Sequence, residues 1–74
     1  MKKSEIISLT ECGCGLVIDA SRFTYAEIRK MARSTRKSGG SLIIRNADEF
    51  FTSEEIVVIA QEGGKSLTFD FRKN

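Results

Sequence analysis

Histidine and proline are absent from the 74 residues, and cysteine occurs only twice. Without histidine, the Ser-His and Cys-His nucleophile pairs and the usual proton shuttle near neutral pH are excluded. Without proline, no segment is marked as a rigid linker. The two cysteines, Cys12 and Cys14, stand in Glu11-Cys12-Gly13-Cys14-Gly15. That spacing is too tight for an unstrained structural disulfide, whose Cα atoms lie about 4.4 to 6.8 Å apart. Two thiols also fall short of a tetrahedral zinc site unless two chains share it. With Glu11 beside them and no adjacent cation they are not activated as thiolates, so they are read as small residues packing a helix-to-strand turn. Long apolar runs are missing too: none approaches the roughly 18 to 20 residues of a membrane span. Met1-Lys2-Lys3-Ser4-Glu5 leads into a stretch too short and too polar for a signal peptide. The expectation is a cytoplasmic protein with no membrane partner.

What the chain does contain is ordinary for a globular protein, 41% hydrophobic and 30% charged residues. Residues 1–74 are long enough for one small domain. A domain of about 60 residues buries only about 60% of the surface its unfolded chain exposes, which makes dimerisation a reasonable expectation.

One phrase is written twice. Phe23-Thr24-Tyr25-Ala26-Glu27-Ile28 recurs as Phe51-Thr52-Ser53-Glu54-Glu55-Ile56. In each, the threonine can accept from the N–H three residues on, the glutamate can reach back to the threonine N–H, and the phenylalanine can pack on the isoleucine. These are a capping box and a hydrophobic staple, and they mark two helix starts. Glu5-Ile6 followed by Leu9-Thr10 matches the same pattern downstream of the cap, which suggests a short first helix whose cap is missing. The competing reading makes Ile6 to Thr10 a strand in a hairpin through the Cys12 to Gly15 glycines.

Between the helix starts lie short apolar runs that read as strands: Leu16-Val17-Ile18-Asp19, Ser41-Leu42-Ile43-Ile44-Arg45 and the alternating Ser66-Leu67-Thr68-Phe69-Asp70-Phe71. The first full helix is expected from about Tyr25 to Lys37, with Ile28, Met31, Ala32 and Thr35 on one face, and Gly39-Gly40 ends it. A loop from Asn46 to Phe50 leads to the second staple. The helix after Thr52 is about a turn shorter and ends at Gly63-Gly64 in the same manner. Its apolar face is Ile56, Ile59 and Ala60, and Val57 and Val58 widen the stripe. Arg72-Lys73-Asn74 is read as a solvated end.

Leu16, Leu42 and Leu67 align at intervals of 26 and 25 residues. Repeats that cannot bury their faces alone stack into a continuous core, and strands joined by helices run parallel with right-handed crossovers. The fold class expected is α/β, short αβ tandem repeats (αβαβαβ) forming a solenoid-like three-stranded parallel sheet in sequence order with the helices on one face. Leu16/Ile18, Leu42/Ile44 and Leu67/Phe69/Phe71 should face the helices and join Ile6, Leu9, Ile28, Met31, Ile56 and Ile59 in the core. The opposite face should carry Val17, Ile43 and Thr68 in one row and Asp19, Arg45 and Asp70 in the next, the second row suited to lateral charge pairing. That face should be open or covered by a second copy. In general plan the alternation is similar to leucine-rich repeats, whose consensus Leu42-Ile43-Ile44-Arg45-Asn46 touches. It also looks distantly like the anti-sigma-antagonist type of domain, which carries a phosphorylated serine at a helix start, where Thr24 and Thr52 are here read as caps. Neither likeness carries a function to this chain.

Charge is segregated. From Arg22 to Lys37 six basic residues stand against Glu27, and from Arg45 to Glu62 five acids stand against Arg45. The basic helix, with Arg29, Lys30, Arg33, Arg36 and Lys37, has three readings. It is a solvated face paired with the acidic helix beside it, a basic surface for association with an acidic one, or a phosphate-backbone footprint for nucleic acid. The last lacks spare aromatics and any nucleic-acid motif. Gly39-Gly40 and Gly63-Gly64 precede strands, whereas phosphate-binding glycine loops precede helices. Asp48, Glu49, Glu54 and Glu55 are read as acids favoured at helix N-termini, not as a metal site.

No base, nucleophile pair, metal set or cofactor site converges. The expectation is a small non-enzymatic protein-interaction module whose partner is itself or another protein. Its candidate contact residues are Val17, Asp19, Ile43, Arg45 and Asp70 on the sheet face and the five cations of the basic helix. The alternative is a small nucleic-acid-binding regulator using residues 29–37.

Overall fold

The computed structural model describes residues 1–72. Three short strands, β1 (Gly15–Asp19), β2 (Ser41–Arg45) and β3 (Leu67–Asp70), form a parallel sheet in the order β1-β2-β3. Four helices, α1 (Lys3–Leu9), α2 (Tyr25–Ser38), α3 (Ala47–Phe50) and α4 (Ser53–Gly63), alternate with them, together with 3-10 turns at Thr10–Cys12, Ala20–Arg22 and Gly64–Ser66. The segment around residues 4–11 is therefore helical, not a hairpin strand. The register sets Leu16, Leu42 and Leu67 side by side, as it does Ile18, Ile44 and Phe69.

Helix starts follow the local chemistry already visible in the chain. Thr24 Oγ1 accepts from the Glu27 N–H at 3.2 Å while the Glu27 carboxylate accepts from the Thr24 N–H at 2.8 Å. Thr52 and Glu55 repeat this at 3.2 and 2.9 Å. The first helix does have a residue at its cap position, Lys2, whose N–H donates to the Glu5 carboxylate at 2.8 Å. Lysine has no acceptor to return, so α1 carries only half of the box that α2 and α4 complete.

Helix α2 buries Ile28, Met31, Ala32 and Thr35, the face expected from its periodicity. Ile28, Met31 and Ala32 pack with Ile18, Leu42, Ile44 and Ile59 in one core cluster that also takes in Ala20, Phe23 and Ala47. Each large aliphatic side chain sealed there contributes about 1.5 to 3 kcal/mol. Ile6 and Leu9 of α1, and Leu16 of the edge strand β1, are only half-buried.

Three expectations are corrected. The stretch from Asn46 to Phe50 is not an open loop: Asn46 adopts a left-handed conformation, φ 62°, that turns the chain out of β2 directly into α3. Asparagine tolerates that region better than most side chains, and Ala47 behind it is fully buried. Phe71 is not a core residue. Strand β3 stops at Asp70, and Phe71 is 46% exposed with its ring stacked on Phe69 at 5.7 Å between centroids. The two glycine exits also differ. Gly39 caps α2 in the left-handed region at φ 81°, ψ 13°. Gly63 instead lies inside α4 and is buried against Leu67, where a Cβ would collide with the Leu67 side chain. Gly64 then turns the chain at φ 55°, ψ −132°. Of the expected solvated end, Arg72 is exposed, and Lys73 and Asn74 lie outside the described residues.

Candidate interaction surfaces

The face of the sheet turned away from the core carries the two expected rows. Val17, Ile43 and Thr68 are register partners, followed by Asp19, Arg45 and Asp70. Val17 is 62% exposed, Thr68 is exposed and Ile43 is half-buried. This face is a shallow apolar strip bordered by charges.

The charged row is only partly paired as expected. Arg45 Nε stands 3.7 Å from Asp70 Oδ2, but the closer partner of Asp70 is Arg72, whose Nε and Nη2 donate to the two carboxylate oxygens at 3.0 Å each. The Arg72 N–H donates to Asp70 Oδ1 as well. These Arg72 bonds hold the Asp70 carboxyl down to about 2, against an ordinary 3.8. Asp19 does not pair with Arg45 by contact. Its oxygens accept from the Ser21 N–H and from Asn46 Nδ2, both at 2.9 Å. The Ser21 bonds, aided by Asn46, lower its pKa. Asp-x-Arg at 70–72 was the available signal for Arg72, since two residues along an extended chain bring a side chain back to the same side.

The five cations of α2 divide. Arg29 donates to Glu62 Oε1 from Nη2 at 2.7 Å and from Nε at 3.1 Å, and Arg33 Nη1 donates to Glu62 Oε2 at 2.9 Å. Glu62, on the neighbouring α4, is held below the usual carboxylate range by Arg29 and then Arg33. Arg29 also lies over the Tyr25 ring, 5.5 Å from its centroid. Arg36 Nη1 reaches the Gln61 carbonyl at 3.4 Å. Lys30 and Lys37 make no ion pair among the described residues. Lateral pairing with the acidic helix thus consumes Arg29 and Arg33. A shallow groove between the C-terminal halves of α2 and α4 is lined by Arg33, Arg36, Lys37, Val58, Gln61 and Glu62.

Cys12 and Cys14 are free thiols in the turn between α1 and β1, both exposed, so they add little to its packing. Cys14 Sγ donates to the Leu9 carbonyl at 3.4 Å. Among the described residues no three His, Cys, Asp or Glu side chains group as a metal site. No described helix is long and apolar enough to cross a membrane.

The fold and these surfaces define a small α/β protein built on a three-stranded parallel sheet with an open face. Comparison with known protein families, with curated proteins and with solved structures finds no match to this chain.

Proposed function

We propose that this chain is a non-enzymatic protein-interaction module that associates with itself, built as a short solenoid-like stack of αβ units. The observation that carries the reading is the uncovered sheet face. Purely parallel sheets occur almost only where both faces are covered, yet here Val17 is 62% exposed and Thr68 is exposed on the face turned away from the core. A second body over that face satisfies the rule. Val17, Ile43, Asp19, Arg45 and Asp70 are its contact residues, and fixed carboxylates at Asp19 and Asp70 set its orientation. Both outer strands also present unpaired backbone groups, a template for pairing.

Support for the stack comes from the constant register, Gly15 to Asp19 against Ser41 to Arg45 and Leu42 to Arg45 against Leu67 to Asp70. The recurring glutamates Glu5, Glu27 and Glu55, each accepting the N–H of the cap residue three positions earlier, add to it.

Sedimentation equilibrium of the purified chain over a wide concentration range tests the proposal. Reversible association is the expected result. A single-chain mass up to about 1 mM, where a dissociation constant corresponds to only about 4 kcal/mol, overturns self-association.

A further inference from the structure

Helices α2 and α4 each lie between two strands in the chain, whereas α1 leads into β1 alone. It nevertheless lies beside α2, tied to it by the Lys3–Glu27 ion pair at 3.0 Å. Its apolar residues therefore have a strand on one side only. Ile6 and Leu9 of α1, Leu16, Ile18 and Asp19 of β1, and Phe23 beyond it line a groove along β1, the outermost strand on that side of the sheet. Ile6, Leu9 and Leu16 are only half-buried there. Successive side chains point to opposite faces of a strand, so the groove wraps the edge: Leu16 and Ile18 lie on its core side, Val17 and Asp19 on its open side. The edge itself offers unpaired backbone N–H and C=O groups. An apolar recess on one side, a backbone edge in the middle and a carboxylate on the other side are what an added strand meets.

From this groove and edge we infer that β1 takes up an extended segment of another protein as a fourth, parallel strand of the sheet. This binding goes beyond self-association over the open face and leaves that face free. Main-chain hydrogen bonds to the edge give it affinity, and pockets for alternate side chains give it specificity. The inner neighbour of β1 shows which side chains suit it: Leu42, Ile43, Ile44 and Arg45 stand beside Leu16, Val17, Ile18 and Asp19. The outer neighbour reads likewise, apolar beside Leu16, Val17 and Ile18 and basic beside Asp19. Asp19 makes no ion pair among the described residues. Its oxygens accept from Ser21 and Asn46, which leaves room among a carboxylate's roughly four lone-pair sites for an incoming cation. A second copy of this chain fits the groove poorly. In the register of the sheet, its β3 would set Asp70 beside Asp19, and like charges directly abreast are destabilising. Its β1, turned antiparallel about a two-fold axis, would crowd two copies of α1 over the same pair of strands.

Titration of the full chain into a fluorophore-labelled, end-capped peptide with the sequence of residues 40–46, read as fluorescence anisotropy, tests the inference. Saturable binding is the expected result. Exchanging the peptide's arginine for glutamate weakens it about tenfold, because two carboxylates then stand abreast. N-methylation of two successive peptide amides weakens it by about the same factor, because at least one donor aimed at β1 is lost. On the protein, Asp19→Asn removes the preference for arginine over glutamate, and Leu9→Ser lowers the affinity for every peptide while circular dichroism shows the fold intact. A peptide that does not bind, or binds with no regard to its arginine and its amides, overturns the inference. Sedimentation of the chain alone decides self-association separately. A monomer that takes up the peptide overturns the self-association reading and leaves this one standing, and a dimer that ignores the peptide does the reverse. A dimer that falls apart as peptide is added places the second copy at the β1 edge and overturns the assignment of that edge to another protein.

Discussion

Thr35 is the one residue among the core positions whose chemistry is at odds with its surroundings. Its side chain is sealed under α2, 1% exposed, and Oγ1 has no hydrogen-bond partner among the described residues. A buried unpaired hydroxyl costs about 1 to 3 kcal/mol. Valine has the same branching and nearly the same helix propensity, so Thr35→Val is expected to raise stability by about 1 kcal/mol, read from the urea midpoint at unchanged slope. Asp70 gives the opposite kind of prediction. Its folded pKa of about 2 lies below the unfolded value near 3.8, so between those values the unfolded chain holds a proton that the folded chain does not. Its contribution is complete above the unfolded value and is lost as pH falls through about 2. In acid titrations of stability, Asp70→Asn is expected to flatten that limb. A slope equal to that of the wild type would show that Arg72 does not hold the carboxylate in solution.

At the level of elements, the two complete boxes make the helices separable targets. Replacing Thr24 or Thr52 with alanine removes the acceptor for one N–H in the first turn and is expected to cost about 1 kcal/mol, measured by chemical denaturation. Thr24→Ser should recover most of that loss, since a hydroxyl suffices. Gly63→Ala tests a different feature. Its new Cβ would collide with the Leu67 side chain, so Leu67 must move and β3 shift with it, at a cost of about 1 to 3 kcal/mol. These elements also show how far the chain could be read. The strands, the buried face of α2 and the caps were legible because each is marked by a local pattern in the sequence, an apolar run, a helical period or a capping box. Helix α3 was missed because its start depends on the left-handed turn at Asn46, whose amide is held by Asp19, 27 positions away. Phe71 was misplaced because alternation describes side-chain direction but not where pairing stops, and β2 offers a partner only as far as Arg45 opposite Asp70.

On the scale of the whole molecule, the charge pattern was visible in the sequence but its pairing was not. That six cations precede a run of acids says only that complementary surfaces exist. The structure joins Arg29 and Arg33 to one carboxylate, Glu62, 33 and 29 positions away, and so withdraws two of the five cations from any outside partner. The surface left for association is mainly apolar, Val17 and Ile43 on the sheet face, with Asp19, Arg45 and Asp70 at its rim. Rim charges are screened within about 10 Å at 0.1 M salt, whereas apolar burial is not. The dissociation constant of the self-associated form is therefore expected to change by less than about threefold between low and moderate salt, since only exposed pairs worth about 0 to 1 kcal/mol are screened. Nucleic-acid binding through Lys30, Arg36 and Lys37 would instead weaken steeply over the same range, because each phosphate contact releases counterions. Sedimentation and a nucleic-acid titration across one salt series separate the two outcomes. Association that collapses with salt would mean that the charged faces of α2 and α4, and not the apolar strips, hold the copies together.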